Sequence, residues 1–281
     1  QSRRMVRRLH PAIFRTNHLT LESTEICLNM TFTYDAEKNF LNNKTILITG
    51  ASDGIGKACA KTYASYGATV ILLGRDQQKL ETVFDELEEL HPGKVIIHPL
   101  DFKTATMADF KILAESLNEQ FECLDGLIHN AALLGARTPI EFYPEQDWND
   151  LMQVNVNAVF QLTQSLLPAL TRSEDARLLF ISSSVGRVGR AFWGAYAVSK
   201  FALEGLMQTL AEELENTTSI KVNSLNPGGT RTNMRRDAYP AENPQTLPTA
   251  ESLMPVYLYL MSSDAQSIHG QALDARGFEA V

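Results

Sequence analysis

From Lys44 onward, short unbroken apolar runs alternate with longer amphipathic stretches, and this rhythm limits the possible folds more than anything else in the chain. The runs are Lys44–Thr49, Ala68–Leu73, Val95–Leu100, Leu124–His129, Arg177–Ser182 and Ile220–Leu225. Each has strand length, and none alternates polar with apolar, as expected for strands buried on both faces. Between them, helical spacing runs over Ile55–Tyr66, Asp76–Leu90, Met107–Phe121, Trp148–Leu170 and Ala195–Glu215. Strands and helices in alternation predict βαβ units. The fold class is therefore α/β: one Rossmann-type three-layer αβα sandwich with a doubly wound, mostly parallel sheet of about seven strands. The Pro-rich stretch Asp237–Pro248 breaks the rhythm late and suits a loop over a site.

Composition removes several function classes. The chain of 281 residues carries 25 Lys+Arg against 33 Asp+Glu, a net charge of −8, which disfavours general nucleic-acid binding. No apolar stretch approaches the ~18 residues of a membrane helix. Cys27, Cys59 and Cys123 are odd in number and match neither a zinc spacing nor a disulfide framework. They read as structural thiols in a reducing, cytoplasmic setting, with no metal site. Residues 1–29 hold five arginines and only Glu22 and Glu25 as acids, +3, which leaves −11 for the rest. This start has no secretory core. It reads as a transit-type segment or, preferably, an extension foreign to the domain, expected to be mobile and without catalytic role. Residues 30–281 are expected to form a single dinucleotide-binding catalytic domain.

After the first run comes Gly50-Ala51-Ser52-Asp53-Gly54-Ile55-Gly56. Small residues at a strand–helix turn let backbone approach a ligand, and the helix N-terminus beyond offers free N–H groups to a pyrophosphate. The turn thus predicts dinucleotide binding by Gly50, Ser52, Asp53, Gly54, Ile55 and Gly56. The second run ends Gly74-Arg75-Asp76, with no acid on the strand end itself. Arg75 suits a 2′-phosphate, and Asp76 reads better as a helix cap than as a ribose ligand. NADP(H) is therefore favoured over NAD(H), although Asp53 in the turn weighs slightly the other way.

Tyr196 and Lys200 stand at i and i+4 of a predicted helix, on one face. A phenol ordinarily titrates near pH ~10, and an adjacent cation favours its ionised form. Alone, this pair reads as a solvated one. Together with the glycine turn, Asp101, Asn130-Ala131-Ala132, Asn155, Ser183 and Pro227-Gly228 in the same order, it strongly resembles the short-chain dehydrogenase/reductase family. The resemblance spans residues 40–275. SSSVGRVGRAFWGAYAVSKFA and NPGGTRT are most similar to a bacterial YciK-like branch of oxidoreductases.

That resemblance implies roles. Tyr196 would be the general acid–base and Lys200 would lower its pKa and hold the nicotinamide ribose. Ser183 would orient the substrate oxygen, and Asn155 would hold a water that links Lys200 to solvent. Asp101 and Phe102 would border the adenine, and Asn130, Ala131 and Ala132 the cofactor channel. Pro227, Gly228, Thr230 and Thr232 would meet the nicotinamide end. The implied reaction moves a hydride between nicotinamide and a small-molecule carbonyl or alcohol, and the complete set argues against a binding-only regulator. The family also implies a homodimer or homotetramer through Trp148–Leu170 and Ala195–Glu215. His129 and Ala132 depart from the family's usual residues, and His129 reads as a packed strand residue. Arg231, Arg235 and Arg236 read as a solvated basic patch rather than an anion site, while Phe192, Trp193, Met234 and Tyr239 offer an apolar wall or loop packing.

Overall fold

A computed structural model describes residues 32–280, all within the unit Thr31–Val281. The expectations for residues 1–29 and for Cys27 lie outside the described residues. Seven strands form one parallel sheet in the order β3-β2-β1-β4-β5-β6-β7. They are β1 (Thr45–Thr49), β2 (Thr69–Gly74), β3 (Val95–Pro99), β4 (Gly126–His129), β5 (Arg177–Ile181), β6 (Lys221–Asn226) and β7 (Ala272–Asp274).

The unbroken apolar runs are explained by the two cores. Successive strand side chains point to opposite faces. Ile46, Ile48, Val70, Leu72, Leu179 and Ile181 enter one core, with helices α1 (Gly54–Ser65), α2 (Gln77–Leu90) and α8 (Met254–Leu260). Leu47, Ile71, Leu73, Leu178 and Phe180 enter the other, with α3 (Met107–Gln120), α5 (Ala158–Thr171) and α6 (Gly194–Leu214). Helices on both faces and a sheet that grows outward from β1 in one direction and from β4 in the other leave a crevice at the carboxyl ends of β1 and β4.

One predicted helix is three elements. Instead of a single Trp148–Leu170 helix, α4 (Glu145–Met152) leads through a π-turn at Gln153–Asn157 into α5. The inserted residue rotates the chain without breaking its apolar face, so the sequence periodicity stays helical throughout. The late loop contains a short helix, α7 (Asn233–Ala238), before its Pro-rich part. Among the described residues, no helix is long and apolar enough to cross a membrane, Cys59 and Cys123 are unbridged, and no cluster of metal ligands occurs.

Candidate functional site

At the crevice lies a cavity of about 450 Å³. Of the residues singled out from sequence, Gly50, Ser52, Asp53, Gly54, Ile55, Arg75, Asp101, Phe102, Asn130, Ala131, Ala132, Ser183, Tyr196, Lys200, Pro227, Gly228, Thr230 and Thr232 all line it. Gly56 and Asn155 do not; both act from behind the wall.

Gly50 and Gly54 have φ of +67° and +51°, a region that L side chains rarely adopt. A Cβ on Gly56 would run into the Gly50 carbonyl, so this third glycine lets α1 pack tightly on the turn. Asp53 caps α1 by accepting from the Gly54 N–H at 2.7 Å, and its other oxygen accepts from Asn233 at 2.6 Å, tying the turn to α7. Thr49, where the first strand meets the glycine turn, holds the facing wall although its sequence position assigns it no binding role. Its hydroxyl accepts the N–H groups of Asn130 and Ala131 at 3.0 and 2.9 Å and donates to the Ile128 carbonyl at 3.3 Å. The Asn130 amide donates to the carbonyls of Thr49 and Gly50, locking β4 to the glycine turn.

Where β2 ends, Asp76 accepts from the Lys79 N–H at 3.1 Å as the N-cap of α2, its expected place. Arg75 lines the cavity with an exposed side chain, and among the described residues it has no hydrogen-bond or ion-pair partner. Lys79, not singled out from sequence, lines the same corner and is equally free. Two unpaired cations beside the Ser52 hydroxyl, at the end of a glycine cradle, fit the phosphorylated ribose of a dinucleotide.

Tyr196 sits in the first turn of α6, 8% exposed. Burial pushes its phenol up to about 12, against the lowering effect of a hydrogen bond with Ser183. Lys200, one turn on, is 2% exposed, and burial pushes its ammonium down to about 8, with Glu204 pulling the other way. Its Nζ donates to the Ile181 carbonyl at 2.7 Å and stands 5.5 Å from the centre of the Tyr196 ring. Thus in the protein by itself Lys200 does not bring the phenol down; desolvation dominates. Glu204 itself accepts from Ser224 at 2.6 Å and from Arg187 at 3.4 Å.

Asn155 spends its side chain on structure. Within the π-turn it accepts from the Leu133 N–H at 2.7 Å and donates to the Leu133 carbonyl at 3.0 Å and to Ser199 Oγ at 3.1 Å. Ser199 in turn donates to the Tyr196 carbonyl. Asn155 thereby joins the wall at Leu133 to the helix that carries Tyr196. His129 packs as expected: it stacks on Phe180, its Nε2 lies 2.8 Å from Thr163 Oγ1, and burial, followed by the Lys200 charge, lowers its pKa to about 3.

The late loop differs from a solvated basic patch. Arg235 forks onto Glu242 at 2.6 and 2.7 Å and lies over Tyr239. Arg231 donates to the carbonyls of Pro244 and Leu247. Arg231, although bonded, is exposed, as is Arg236 beside Asp237. The loop is a flap clamped by its own arginines, and Met234, Ala238 and Tyr239 from it line the cavity opposite Trp193. Phe192, expected beside them, is 55% exposed and outside the lining.

The family profile described as short chain dehydrogenase matches residues 44–243. The chain belongs to the short-chain dehydrogenase/reductase family. An uncharacterized oxidoreductase, YciK, of Escherichia coli K12 is 50% identical to it over 243 residues, 86% of this chain and 96% of that protein, which assigns the chain to the YciK-like branch. A short-chain dehydrogenase of Shigella flexneri complexed with NADP is 50% identical, with a TM-score of 0.83 over 85% of this chain and 99% of that one. Its counterpart from Escherichia coli CFT073, complexed with NADPH, gives 50% identity and a TM-score of 0.83 over 86% and 100%. The protein is therefore an NAD(P)-dependent oxidoreductase.

Proposed function

We propose that this dehydrogenase/reductase uses NADP(H) to interconvert a small-molecule carbonyl compound and its alcohol, with Tyr196 as the acid–base. The observation that carries the reading is the division of one cavity into two ends. One end offers the glycine turn with the free cations Arg75 and Lys79; the other brings Ser183, Tyr196 and Lys200 together. The residues fit a phosphorylated dinucleotide, and the relatives complexed with NADP and NADPH support the same choice.

When bound, the nicotinamide supplies or accepts the hydride. The protein does the rest. Ser183 donates to the substrate oxygen and aligns it with the Tyr196 hydroxyl. During reduction that hydroxyl gives its proton to the oxygen as the alcohol forms; during oxidation the phenolate takes it back. A phenol held near 12 keeps its proton at neutral pH, so the proton is in place for reduction, but the phenolate that oxidation needs is scarcely populated until positive charge is added in the site. Lys200, half-titrated at about 8, holds the position from which its charge acts on the ring.

Proposed with this reading are a reducing, cytoplasmic setting, supported by the unbridged Cys59 and Cys123, and a homodimer or homotetramer. For the assembly, Phe160 on α5 and Val198 and Phe201 on α6 are exposed, whereas Val159 and Met207 are spent inside the subunit. Replacing Tyr196 by Phe tests the mechanism. Turnover across a carbonyl panel is expected to fall about 100-fold or more while the NADPH dissociation constant holds. Unchanged turnover would reject it.

A further inference from the structure

Five cationic side chains line the cavity among the described residues: Arg75, Lys79, Arg190, Lys200 and Arg235. Four are committed. Lys200 gives its hydrogen bond to Ile181, and Arg235 is forked by Glu242. Arg75 and Lys79 follow β2, which in the order β2-β1-β4-β5 stands three strand spacings, roughly 14 Å, from the strand that leads to Ser183. They belong to the dinucleotide's far end.

Arg190 remains. It lies on the segment between Ser183 and Tyr196, where its carbonyl accepts the Trp193 N–H at 3.3 Å. Arg190 is exposed and among the residues that line the cavity, and its guanidinium has no hydrogen-bond or ion-pair partner among the described residues. The acids that line the cavity, Asp53, Asp76 and Asp101, all follow β1, β2 or β3 and accept from their own turns or, for Asp53, from Asn233 as well. Among the described residues, the cavity lining that follows β4, β5 and β6 contains no carboxylate to neutralise Arg190.

Beside it the cavity wall is aromatic and apolar. Trp193 is 7% exposed with its ring 5.6 Å from that of Tyr196, and it packs against Tyr239 at 6.0 Å. The Arg137 guanidinium, bonded to the Ala238 carbonyl and outside the cavity lining, lies over both the Trp193 and Tyr239 rings. Leu133, Val185 and Met234 complete the wall. A small polar carbonyl compound would leave this wall wet, and a neutral apolar one would leave the guanidinium without its fork partner.

Resting on the carbonyl/alcohol reading of the same cavity, we infer that the substrate is an amphipathic anion. It is an oxo or hydroxy compound with an apolar body on Trp193 and Tyr239 and a terminal oxyanion, carboxylate or phosphonate-like, taken by Arg190.

The test compares aryl and aliphatic keto acids of rising chain length with their methyl esters, and keto phosphonates with their diesters. Wild-type protein and Arg190→Gln are assayed with NADPH, and ligand binding to the NADP+ complex is followed by tryptophan fluorescence. The acids are expected to surpass their esters about 10-fold in kcat/KM, mostly through KM, and Arg190→Gln should erase that preference while esters change less than about twofold. The phosphonate arm shows which oxyanion fits better. NADPH binding and the melting temperature of Arg190→Gln should match wild type. Esters equal to or better than acids, no binding or turnover of any member, or a loss of NADPH affinity in Arg190→Gln would overturn the inference. Failure of the mechanism itself reads out separately, as turnover of neutral carbonyl compounds that survives Tyr196→Phe.

Discussion

The ammonium of Lys200 stands 5.5 Å from the centre of the Tyr196 ring yet gives its hydrogen bond to the carbonyl of Ile181, not to the phenol. The pair is poised rather than formed. Titration of the phenolate absorbance, wild type minus Tyr196→Phe, is therefore expected to show no Tyr196 ionisation below about pH 11 in the free protein, since burial holds the phenol near 12. Saturating NADP+ should move the transition down, because a cation is added beside a group whose charged form is negative. By linkage, NADP+ must then bind more tightly as pH rises through the lowered value. An unmoved transition would assign the proton chemistry to another group.

Arg75 and Lys79 make a second, separate expectation. Among the described residues neither has a partner of its own, so Arg75→Gln with Lys79→Gln removes only what a ligand would feel. Affinity for NADPH should fall about 10- to 100-fold, NADH affinity should stay within about twofold, and the salt dependence of NADPH binding should flatten. Equal losses for both cofactors would place these cations elsewhere in recognition.

Thr49→Val keeps shape and removes one oxygen. The N–H groups of Asn130 and Ala131 lose their acceptor in a part-buried setting. A loss of about 1–3 kcal/mol is expected, which lowers the melting temperature by several degrees, together with weaker NADPH binding because the wall at Asn130 loosens. A melting curve like wild type would mean that other acceptors or water replace the hydroxyl.

The flap carries its own pH dependence. The Arg235 guanidinium holds the Glu242 carboxyl below its ordinary value. Folded-state depression means that the clamp stabilises the closed flap above the ordinary carboxylate range and loses that contribution as pH falls through the lowered value. Limited proteolysis between Tyr239 and Leu247 should accelerate in that acid window, and Glu242→Gln should cleave at the fast rate already at neutral pH. Glu242→Gln with wild-type resistance would show that Arg231 and its carbonyl partners hold the flap alone.

Much of this architecture is legible in the residues because the signals are local and redundant. The unbroken runs at Ile46–Ile48 and Val70–Leu73 need two buried faces, and the two cores supply them. The glycine turn and the Tyr196/Lys200 pair are each confined to a single turn, so spacing carries them. What escaped depends on partners distant in sequence. A π-turn adds a residue to an apolar face without interrupting it, so Trp148–Leu170 reads as one helix. Arg231 and Arg235 look solvated until Pro244, Leu247 and Glu242 are brought to them. Lys79 reads as an ordinary helix residue until α2 brings it to the cavity, and Arg190, although inside the stretch that resembles the YciK-like branch, is given no role by that resemblance.

The crevice owes its place to the order in which the strands are laid down on either side of the β1–β4 seam, not to any single side chain. Its two halves are therefore drawn largely from different stretches of chain, the first from the loops after β1, β2 and β3, the second from those after β5 and β6, with the loop after β4 shared between them. Selection can rewrite the second half residue by residue and give descendants new chemistries to act on, while the first goes on gripping the same coenzyme.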